Sequence, residues 1–252
     1  MNTNFIINII IMTDNLSQIE PHKSTIPLNI FQTWHTKKNI PLNMFAAINN
    51  IKTQNPEFKH FLFDDNDSRN FIKTHFRKEV LNAYDSLIPG AYKADLWRYC
   101  VLFIAGGIYI DIKFKMTNNF KLIHLIKNEH FVLDADKNGI YNAFMICRPG
   151  NKLLFKAINM IVQNIKHNFY GSSYLEPTGP KLLIKCIAIN DSCVDMTHLE
   201  LQQNNNNKVI MFKNIIILNS YCGHINDRSK YSKTSHYSTL WKEKHIYKNK
   251  KM

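Results

Sequence analysis

Two charged side chains, Asp95 and Arg98, lie three residues apart in a mostly apolar stretch, and Asp111 follows a short apolar run. Residues three apart share one face of a helix. A carboxylate can accept hydrogen bonds from sugar hydroxyls, and a guanidinium can bind phosphate oxygens. A carboxylate at the end of a strand can also hold a divalent cation that neutralises a pyrophosphate. The spacing therefore indicates a site for a phosphorylated sugar.

The glycine and proline positions and the spacing of the apolar residues predict the helix and strand around these residues. A helix is predicted over Ala91–Ala105, after the Pro89-Gly90 break, and Gly106-Gly107 ends it with a left-handed cap. The strand Ile108–Ile110 then leaves the core at Asp111, where ligands of α/β sheets bind. An Asp-x-x-Arg pair on a helix is usually a structural ion pair. The functional interpretation therefore depends on the Asp95–Arg98 pair, the glycine pair, the strand and Asp111 occurring together.

The rest of the chain alternates between strand and helix patterns. Strands are predicted at Leu28–Trp34, Phe58–Phe63, His130–Leu133 and Ile140–Cys147, and an edge hairpin at Val209–Leu218 after a Gln/Asn loop. Helices are predicted from Pro41 to before Asn55, from a cap at Asp67 or Ser68, over Asn151–His167, and from Pro180. This alternation predicts a single α/β domain with a largely parallel sheet.

The chain is predicted to have three parts: a flexible lead-in at 1–25, a domain at 26–241, and a basic tail at 242–252. The apolar run at Phe5–Met12 is shorter than the roughly 20 residues that cross a bilayer. It also lacks the basic start and cleavage site of a signal peptide. The five cysteines show no C-x-x-C spacing, which favours reduced thiols. We therefore expect a soluble protein without a transmembrane segment, in the cytoplasm or a cytosol-like compartment.

The net charge of +13, from 32 Lys and Arg against 19 Asp and Glu, favours a polyanionic partner. Nucleic acid, an anionic membrane and a phosphate-bearing substrate all meet that description. The charges are dispersed and form no nucleic-acid-binding motif, so we do not expect nucleic acid as a partner. For the basic tail, a solvated surface, peripheral contact with a membrane and contact with an anionic acceptor stay open.

The segment Ala91–Lys115 resembles the sugar-binding region of the DXD-containing glycosyltransferases related to the yeast initiating α-1,6-mannosyltransferase, glycosyltransferase family 32. Clostridial glucosylating toxins are more distant relatives. The residues that carry the pattern are Ala91, Ala94, Asp95, Arg98, Tyr99, Gly106, Gly107, Ile108, Tyr109 and Asp111. IPLNIFQTWHTK, YNAFMICRPGN, EPTGPKLL and HYSTLW resemble further family segments, so the resemblance extends over Ile26–Trp241.

This resemblance implies a GT-A type, Rossmann-like nucleotide-sugar-binding fold. It implies transfer of a hexose, with retention, from a nucleotide-sugar donor to an acceptor hydroxyl on a glycan or glycoconjugate. GDP-mannose and UDP-hexoses both fit as donors. The implied catalytic residues are Asp95, Arg98, Asp111 and Lys113. The implied substrate-binding residues are Gln32, Trp34, Tyr92, Asp95, Arg98, Gly107, Tyr109, Asn142, Thr178, Gly179, His236 and Trp241.

By position, Trp34 would flank the nucleotide base, while Asp95 and Arg98 would hold the transferred sugar. Asp111 would bind the metal or the ribose-phosphate region, and Asn142 would line the sugar site. Thr178 and Gly179 would border the acceptor side, and His236 and Trp241 would close over the diphosphate.

One position departs from the family pattern, because Lys113 replaces the second Asp of the motif. A charged ammonium has no lone pair for a metal. Mn²⁺ or Mg²⁺ would then be held by Asp111, His236 and the diphosphate, or Lys113 would supply part of the charge itself. A third alternative is a catalytically inactive homologue that binds sugar nucleotides. A basic nucleic-acid-binding protein is a less favoured fourth.

Overall fold

A computed structural model describes residues 26–187, 199–204, 207–232 and 234–248. The strands are β1 (Asn29–Thr33), β2 (Lys59–Phe63), β3 (Gly107–Ile110), β4 (Phe114–Met116), β5 (His130–Leu133), β6 (Ile140–Cys147), β7 (Leu199–Asn204), β8 (Asn207–Phe212) and β9 (Ile215–Ser220). The helices are α1 (Leu42–Gln54), α2 (Asp65–His75), α3 (Lys78–Ser86), α4 (Gly90–Ala105), α5 (Lys152–Lys166), α6 (Pro180–Ile187), α7 (His224–Tyr231) and α8 (Tyr237–Lys242), with a 3₁₀ turn at Leu122–His124.

The strands form one sheet in the order β2-β1-β3-β6-β5-β7-β8-β9-β4. β1 pairs in parallel with β2 and β3, and β5 with β7, whereas the other neighbours pair antiparallel. The prediction of a largely parallel sheet was therefore wrong. Short helix-free connections join β5 to β6, β7 to β8 and β8 to β9, and such connections place consecutive strands antiparallel.

The helix α4 is buried on nearly all sides, with Leu96, Trp97 and Tyr99 fully inaccessible. Gly106 ends it with φ +58°, and a Cβ there would meet Pro149 Cδ at 2.5 Å. Gly107, with φ +117°, lets β3 approach the backbone of β1 closely. Both positions require glycine, which tolerates positive φ and has no Cβ. The predicted helix, its end at Gly106 and the strand after it are thus confirmed, whereas the left-handed helical cap is not, because Gly106 combines its positive φ with an extended ψ of 175°.

One edge of the sheet gathers the positions of interest. Because β1, β2 and β3 are parallel, their carboxyl ends lie together, and Trp34, Asp64 and Asp111 follow those ends. β6 runs in the opposite direction and begins at this edge, where the Asp111 amide donates to the Ala143 carbonyl at 2.9 Å. Residues at the start of β6 are therefore neighbours of Asp111.

Several local predictions need correction. Asp64, rather than Asp67 or Ser68, caps α2, because its side chain accepts from the amides of residues 66 and 67 at 3.0 and 2.9 Å. The helix α3 and the strand β4 were missed. Because β4 covers β9, the hairpin β8–β9 lies inside the sheet and not at its edge. Part of the predicted Gln/Asn loop belongs to β7 and β8.

The predicted lead-in at 1–25 lies outside the described residues, as do residues 249–252. The described part of the basic tail contributes Ile246 and Tyr247 to the main core. No helix in the described ranges combines the length and apolarity needed to span a membrane.

Candidate functional site

Asp95 is a buried carboxylate on α4, and both of its oxygens accept a hydrogen bond from a neutral side chain. Asn142 Nδ2 donates to Oδ1 at 2.9 Å, and Thr178 Oγ1 donates to Oδ2 at 2.7 Å. Burial raises the pKa of Asp95, against the opposing effects of Arg98 and these two hydrogen bonds. The carboxylate is therefore held in one orientation by residues from three separate parts of the chain.

Arg98 lies one turn further along α4 and joins two carboxylates. Its guanidinium lies 3.5 Å from Asp95 and 3.4 Å from Asp111, and it covers the Tyr109 ring at 4.4 Å. Nη1 also donates to the Asn142 carbonyl at 2.8 Å. The predicted common face of Asp95 and Arg98 is present, but it is buried rather than open to solvent.

Asp111 follows β3 and has donors at both oxygens. The Tyr109 hydroxyl donates to Oδ1 at 2.7 Å, and Lys113 Nζ donates to Oδ2 at 2.8 Å. Burial acts to raise the pKa of Asp111, but the charges of Lys113 and Arg98 outweigh it and lower this pKa to about 2. Asp111 is therefore ionised at neutral pH and paired with two cations.

The hydrogen bonds continue behind Asp95 as one connected network. Asn142 Nδ2 also donates to the Tyr99 hydroxyl at 2.9 Å, and that hydroxyl donates to the Thr178 carbonyl at 3.0 Å. Tyr99 is fully buried on α4, and its hydroxyl belongs to this network. At Gly179 a Cβ would lie 3.4 Å from Asp95 Oδ2, so glycine keeps the space beside the carboxylate open.

Aromatic residues border this network on the side of α8. Tyr92 donates its hydroxyl to the Tyr174 carbonyl at 2.6 Å, and its ring lies 5.9 Å from that of Tyr237. Burial raises the pKa of Tyr237 to about 12, and the charge of Asp95 adds to this shift. Trp241 Nε1 donates to a backbone carbonyl, that of Tyr170, at 2.7 Å.

Residues 41–132 match the family model described as a glycosyltransferase sugar-binding region containing a DXD motif. Inositol phosphoceramide mannosyltransferase 3 of Schizosaccharomyces pombe is 29% identical over 161 residues, which cover 64% of this chain and 44% of that protein. An uncharacterized glycosyltransferase of Acanthamoeba polyphaga mimivirus is 37% identical over 95 residues, 37% of this chain and 38% of that protein. The initiation-specific α-1,6-mannosyltransferase of Candida albicans is 32% identical over 91 residues, 34% of this chain and 24% of that protein.

The predicted resemblance to the DXD-containing glycosyltransferases is confirmed. The solved structure of PaToxG glycosyltransferase superposes with a TM-score of 0.51 at 17% identity, covering 65% of this chain and 69% of that one. The chain therefore has the predicted α/β fold of GT-A type. It spans less than half the length of the three curated relatives.

Some residues implied by the glycosyltransferase pattern do not reach Asp95. Gly107 begins β3, at the opposite end of that strand from Asp111, and packs against Asn29. Gln32 is fully buried within β1, and its Oε1 lies 2.7 Å from His60 Nε2. The contacts of Gly107 support the sheet, whereas Gln32 Nε2 is buried with no hydrogen-bond partner among the described residues, so the substrate-binding role of Gln32 stays a prediction.

Two other predicted residues lie at the borders of the site. Trp34 packs against a small apolar cluster that includes Ile112 and Tyr221, beside the turn that carries Asp111 and Lys113. His236 is the N-cap of α8; its Nδ1 lies 3.3 Å from the Ser238 amide and 2.6 Å from the Ser238 hydroxyl.

Sequence reasoning missed Lys208 of β8. Its ammonium lies 4.8 Å from the centre of the Tyr141 ring, and Lys113 lies 5.5 Å from the same ring. The Lys208 amide donates to the Ser220 hydroxyl at 2.9 Å, and Ser220 pairs with Phe114, the residue after Lys113. Lys208 follows an Asn-rich run with no motif. Only the pairing of β8, β9 and β4 places it beside Lys113.

A separate open cleft of 490 Å³ lies between β2 and α2, lined by residues that include Lys37, His60 and Asp67. None of the predicted site residues lines it. The candidate site is therefore assigned from its buried polar network and not from cavity size.

A divalent cation, which the DXD motif implies, fits these residues poorly. Lys113 occupies the second motif position and donates to Asp111 Oδ2, so a metal at this oxygen would have to displace an ammonium group. In the described part of the chain, no group of three or more His, Cys, Asp or Glu side chains is placed to hold a metal ion. The predicted ligand pair of Asp111 and His236 stays a prediction that these contacts do not favour.

Proposed function

We propose that this protein is a glycosyltransferase that moves a hexose, with mannose as the first candidate, from a nucleotide-sugar donor to an acceptor hydroxyl. The observation that carries the proposal is the position of Asp95. Its carboxylate is oriented by Asn142 and Thr178 and lies beside Arg98, which in turn contacts Asp111. Acceptors for sugar hydroxyls and cations for a diphosphate thus lie side by side, as a nucleotide-sugar requires.

In this proposal Asp95 and Asn142 bind hydroxyls of the transferred sugar, and Arg98 holds both carboxylates in place. Thr178 orients Asp95, and Gly179 leaves room for the sugar or the acceptor. Trp34, beside the Asp111 turn, flanks the nucleotide base. His236 and Trp241 cover the diphosphate from the side of α8.

The transfer breaks the bond between the anomeric carbon and the diphosphate oxygen, whose electron pair stays on the leaving diphosphate. A new bond forms between the anomeric carbon and the acceptor oxygen, and the acceptor proton passes to the departing phosphate. Cations that meet the developing negative charge lower the barrier. Attack from the face of the leaving group, with retention, is the course that the family resemblance implies.

The donor and acceptor classes are suggested by the relatives. The relatives from S. pombe and C. albicans are mannosyltransferases by name, which supports testing GDP-mannose before UDP-hexoses as the donor. One of them is named for inositol phosphoceramide, so a glycoconjugate is the first acceptor to test.

Lys113 favours a second candidate function, an inactive homologue that binds sugar nucleotides without transferring the sugar. This candidate predicts donor binding without turnover. Measured donor hydrolysis or transfer separates the two.

The test is a thermal-shift panel of GDP-mannose, UDP-glucose, UDP-galactose and a CMP-sugar, followed by hydrolysis rates for the donor that binds. A donor at about 100 times its Kd should raise Tm by roughly 5–10 °C. The shift should disappear in Asp95→Asn and persist in Asp85→Asn, which alters a half-buried surface carboxylate paired with Arg69. A panel in which no nucleotide-sugar shifts Tm would overturn the proposal.

A further inference from the structure

The ammonium groups of Lys113 and Lys208 both lie against one aromatic ring, that of Tyr141. They approach the Tyr141 ring at 5.5 and 4.8 Å, and both side chains are partly buried. Lys113 is paired with Asp111. In the ranges that the structure describes, Lys208 has no carboxylate partner within ion-pair distance.

The backbone holds both lysines in register. The Lys113 carbonyl accepts from the Tyr221 amide at 2.9 Å, directly after β9. The Lys208 amide donates to Ser220, the last residue of β9. Strand pairing therefore brings both ammonium groups to the Tyr141 ring.

Gathering like charges in a partly buried place is unfavourable in the free protein. Burial lowers the pKa of Lys208, and the charge of Lys113 adds to this shift, while Asp134 and Asp111 oppose it. A bound anion would relieve this repulsion. The arrangement is thus suited to a ligand with more negative charge than Asp111 provides.

We propose that Lys113 and Lys208 bind the diphosphate of the donor directly and make a divalent cation unnecessary. The inference rests on the proposed function and deepens it, because it assigns the counter-charge for the leaving group. When the glycosidic bond of the donor breaks, its electron pair goes to the leaving diphosphate. The two ammonium groups then neutralise the added charge through hydrogen bonds, without changing their own protonation.

The position of Lys113 supports this assignment over a metal. It replaces a motif carboxylate, donates to Asp111 at 2.8 Å and leaves further N–H groups for phosphate oxygens. Asp111 then acts as a positioning residue that fixes the ammonium, and not as a metal ligand.

The test is the affinity for GDP and for UDP by calorimetry, with the metal-stripped protein in EDTA and again with Mn²⁺. The nucleotide that binds should do so with Kd values that agree within about twofold in the two conditions. Lys113→Gln and Lys208→Gln should each weaken that binding in EDTA by about tenfold or more. Lys213→Ala, a loss of the same charge beyond the other end of β8, should change Kd less than twofold.

A reciprocal variant makes the test sharper. Lys113→Asp restores two motif carboxylates, so its nucleotide binding should become tighter with Mn²⁺ than with EDTA by about tenfold or more. Melting curves identify any variant that fails to fold. If the Lys113 variants do not fold, Lys208→Gln, which leaves the pair of Lys113 and Asp111 intact, carries the test.

The outcomes separate this inference from the proposed function. Wild-type binding that requires Mn²⁺ would overturn the lysine assignment and leave the glycosyltransferase proposal standing. Unchanged affinity in both Lys113→Gln and Lys208→Gln would also overturn it. Binding of neither nucleotide in either condition, together with a silent donor panel, would overturn both.

Discussion

Two Asp–Arg pairs in this molecule have opposite designs. On the surface, Arg69 donates to both oxygens of Asp85, at 2.8 and 2.6 Å, with side chains 43% and 36% exposed. In the site, Arg98 and Asp95 approach only to 3.5 Å, although they are 8% and 11% exposed. The ion pair with the better geometry is thus the one at the surface, where screening by water makes an ion pair contribute least to stability.

The difference lies in what else each group contacts. Asp85 is satisfied by Arg69, whereas Asp95 is oriented by Asn142 and Thr178. Arg98 divides its donors between carboxylates and backbone carbonyls. The buried pair of Asp95 and Arg98 is therefore not arranged for the strongest mutual attraction. Each group keeps contacts with other residues, as expected of a site that binds a third group.

The largest expected contrast is between Asp95→Asn and Asp85→Asn. Asp95→Asn should lower donor hydrolysis by about 100-fold or more, because it removes the charged acceptor for the sugar. It should also lower the free energy of unfolding by about 3 kcal/mol, since Arg98 loses part of its compensation. Asp85→Asn should cost less than about 1 kcal/mol and leave the rate within twofold. Initial rates and urea unfolding measure both, and equal effects would show that the contrast between the pairs has no functional meaning.

A smaller change in the free energy of unfolding is expected when the pH is lowered. The pKa of Asp111 is lowered to about 2 in the folded protein. A depressed carboxylate pKa stabilises the fold at pH values above the unfolded pKa, and the contribution is lost as pH falls toward the folded one. Asp111 should contribute about 2 kcal/mol at pH 5 and roughly half of that at pH 3.

Urea unfolding of wild type and Asp111→Asn at pH 5 and pH 3 tests this expectation. The difference in free energy of unfolding should narrow by about 1 kcal/mol at the lower pH. A difference that stays constant or widens on acidification would contradict the ion pairing assigned to Asp111.

A loss of stability and activity smaller than that of Asp95→Asn is expected at Thr178. Thr178→Val removes one hydrogen bond to Asp95 and should cost about 1–2 kcal/mol of stability, because a buried carboxylate oxygen loses its donor. Donor hydrolysis should fall less than in Asp95→Asn. Thr53→Val, which removes the exposed Thr53 hydroxyl bonded to the Asn49 carbonyl, is the matched control and should cost less than about 1 kcal/mol. Equal unfolding free energies for the two variants would argue against an orienting role for Thr178.

Much of the central segment could be predicted from the chain alone. The helix before Gly106, its end at that glycine, the strand after it and the shared face of Asp95 and Arg98 depend on local rules of spacing and backbone conformation. Those rules act within a few residues, so the sequence carries them without reference to the fold. The resemblance also named Asn142 and Thr178, without indicating what they touch.

The tertiary structure decided the direction of the strands and which residues surround each charged side chain. Strand pairing joins residues far apart in the chain, and no local pattern specifies which strands meet. The pairing of β8 with β9 and of β9 with β4 brings Lys208 to the side of Lys113, where both side chains approach the Tyr141 ring. The sequence thus determined where Asp95, Arg98, Asp111 and Lys113 stand along the chain. The fold decided that a second lysine stands beside them, because the energy of long-range packing and pairing sets that contact.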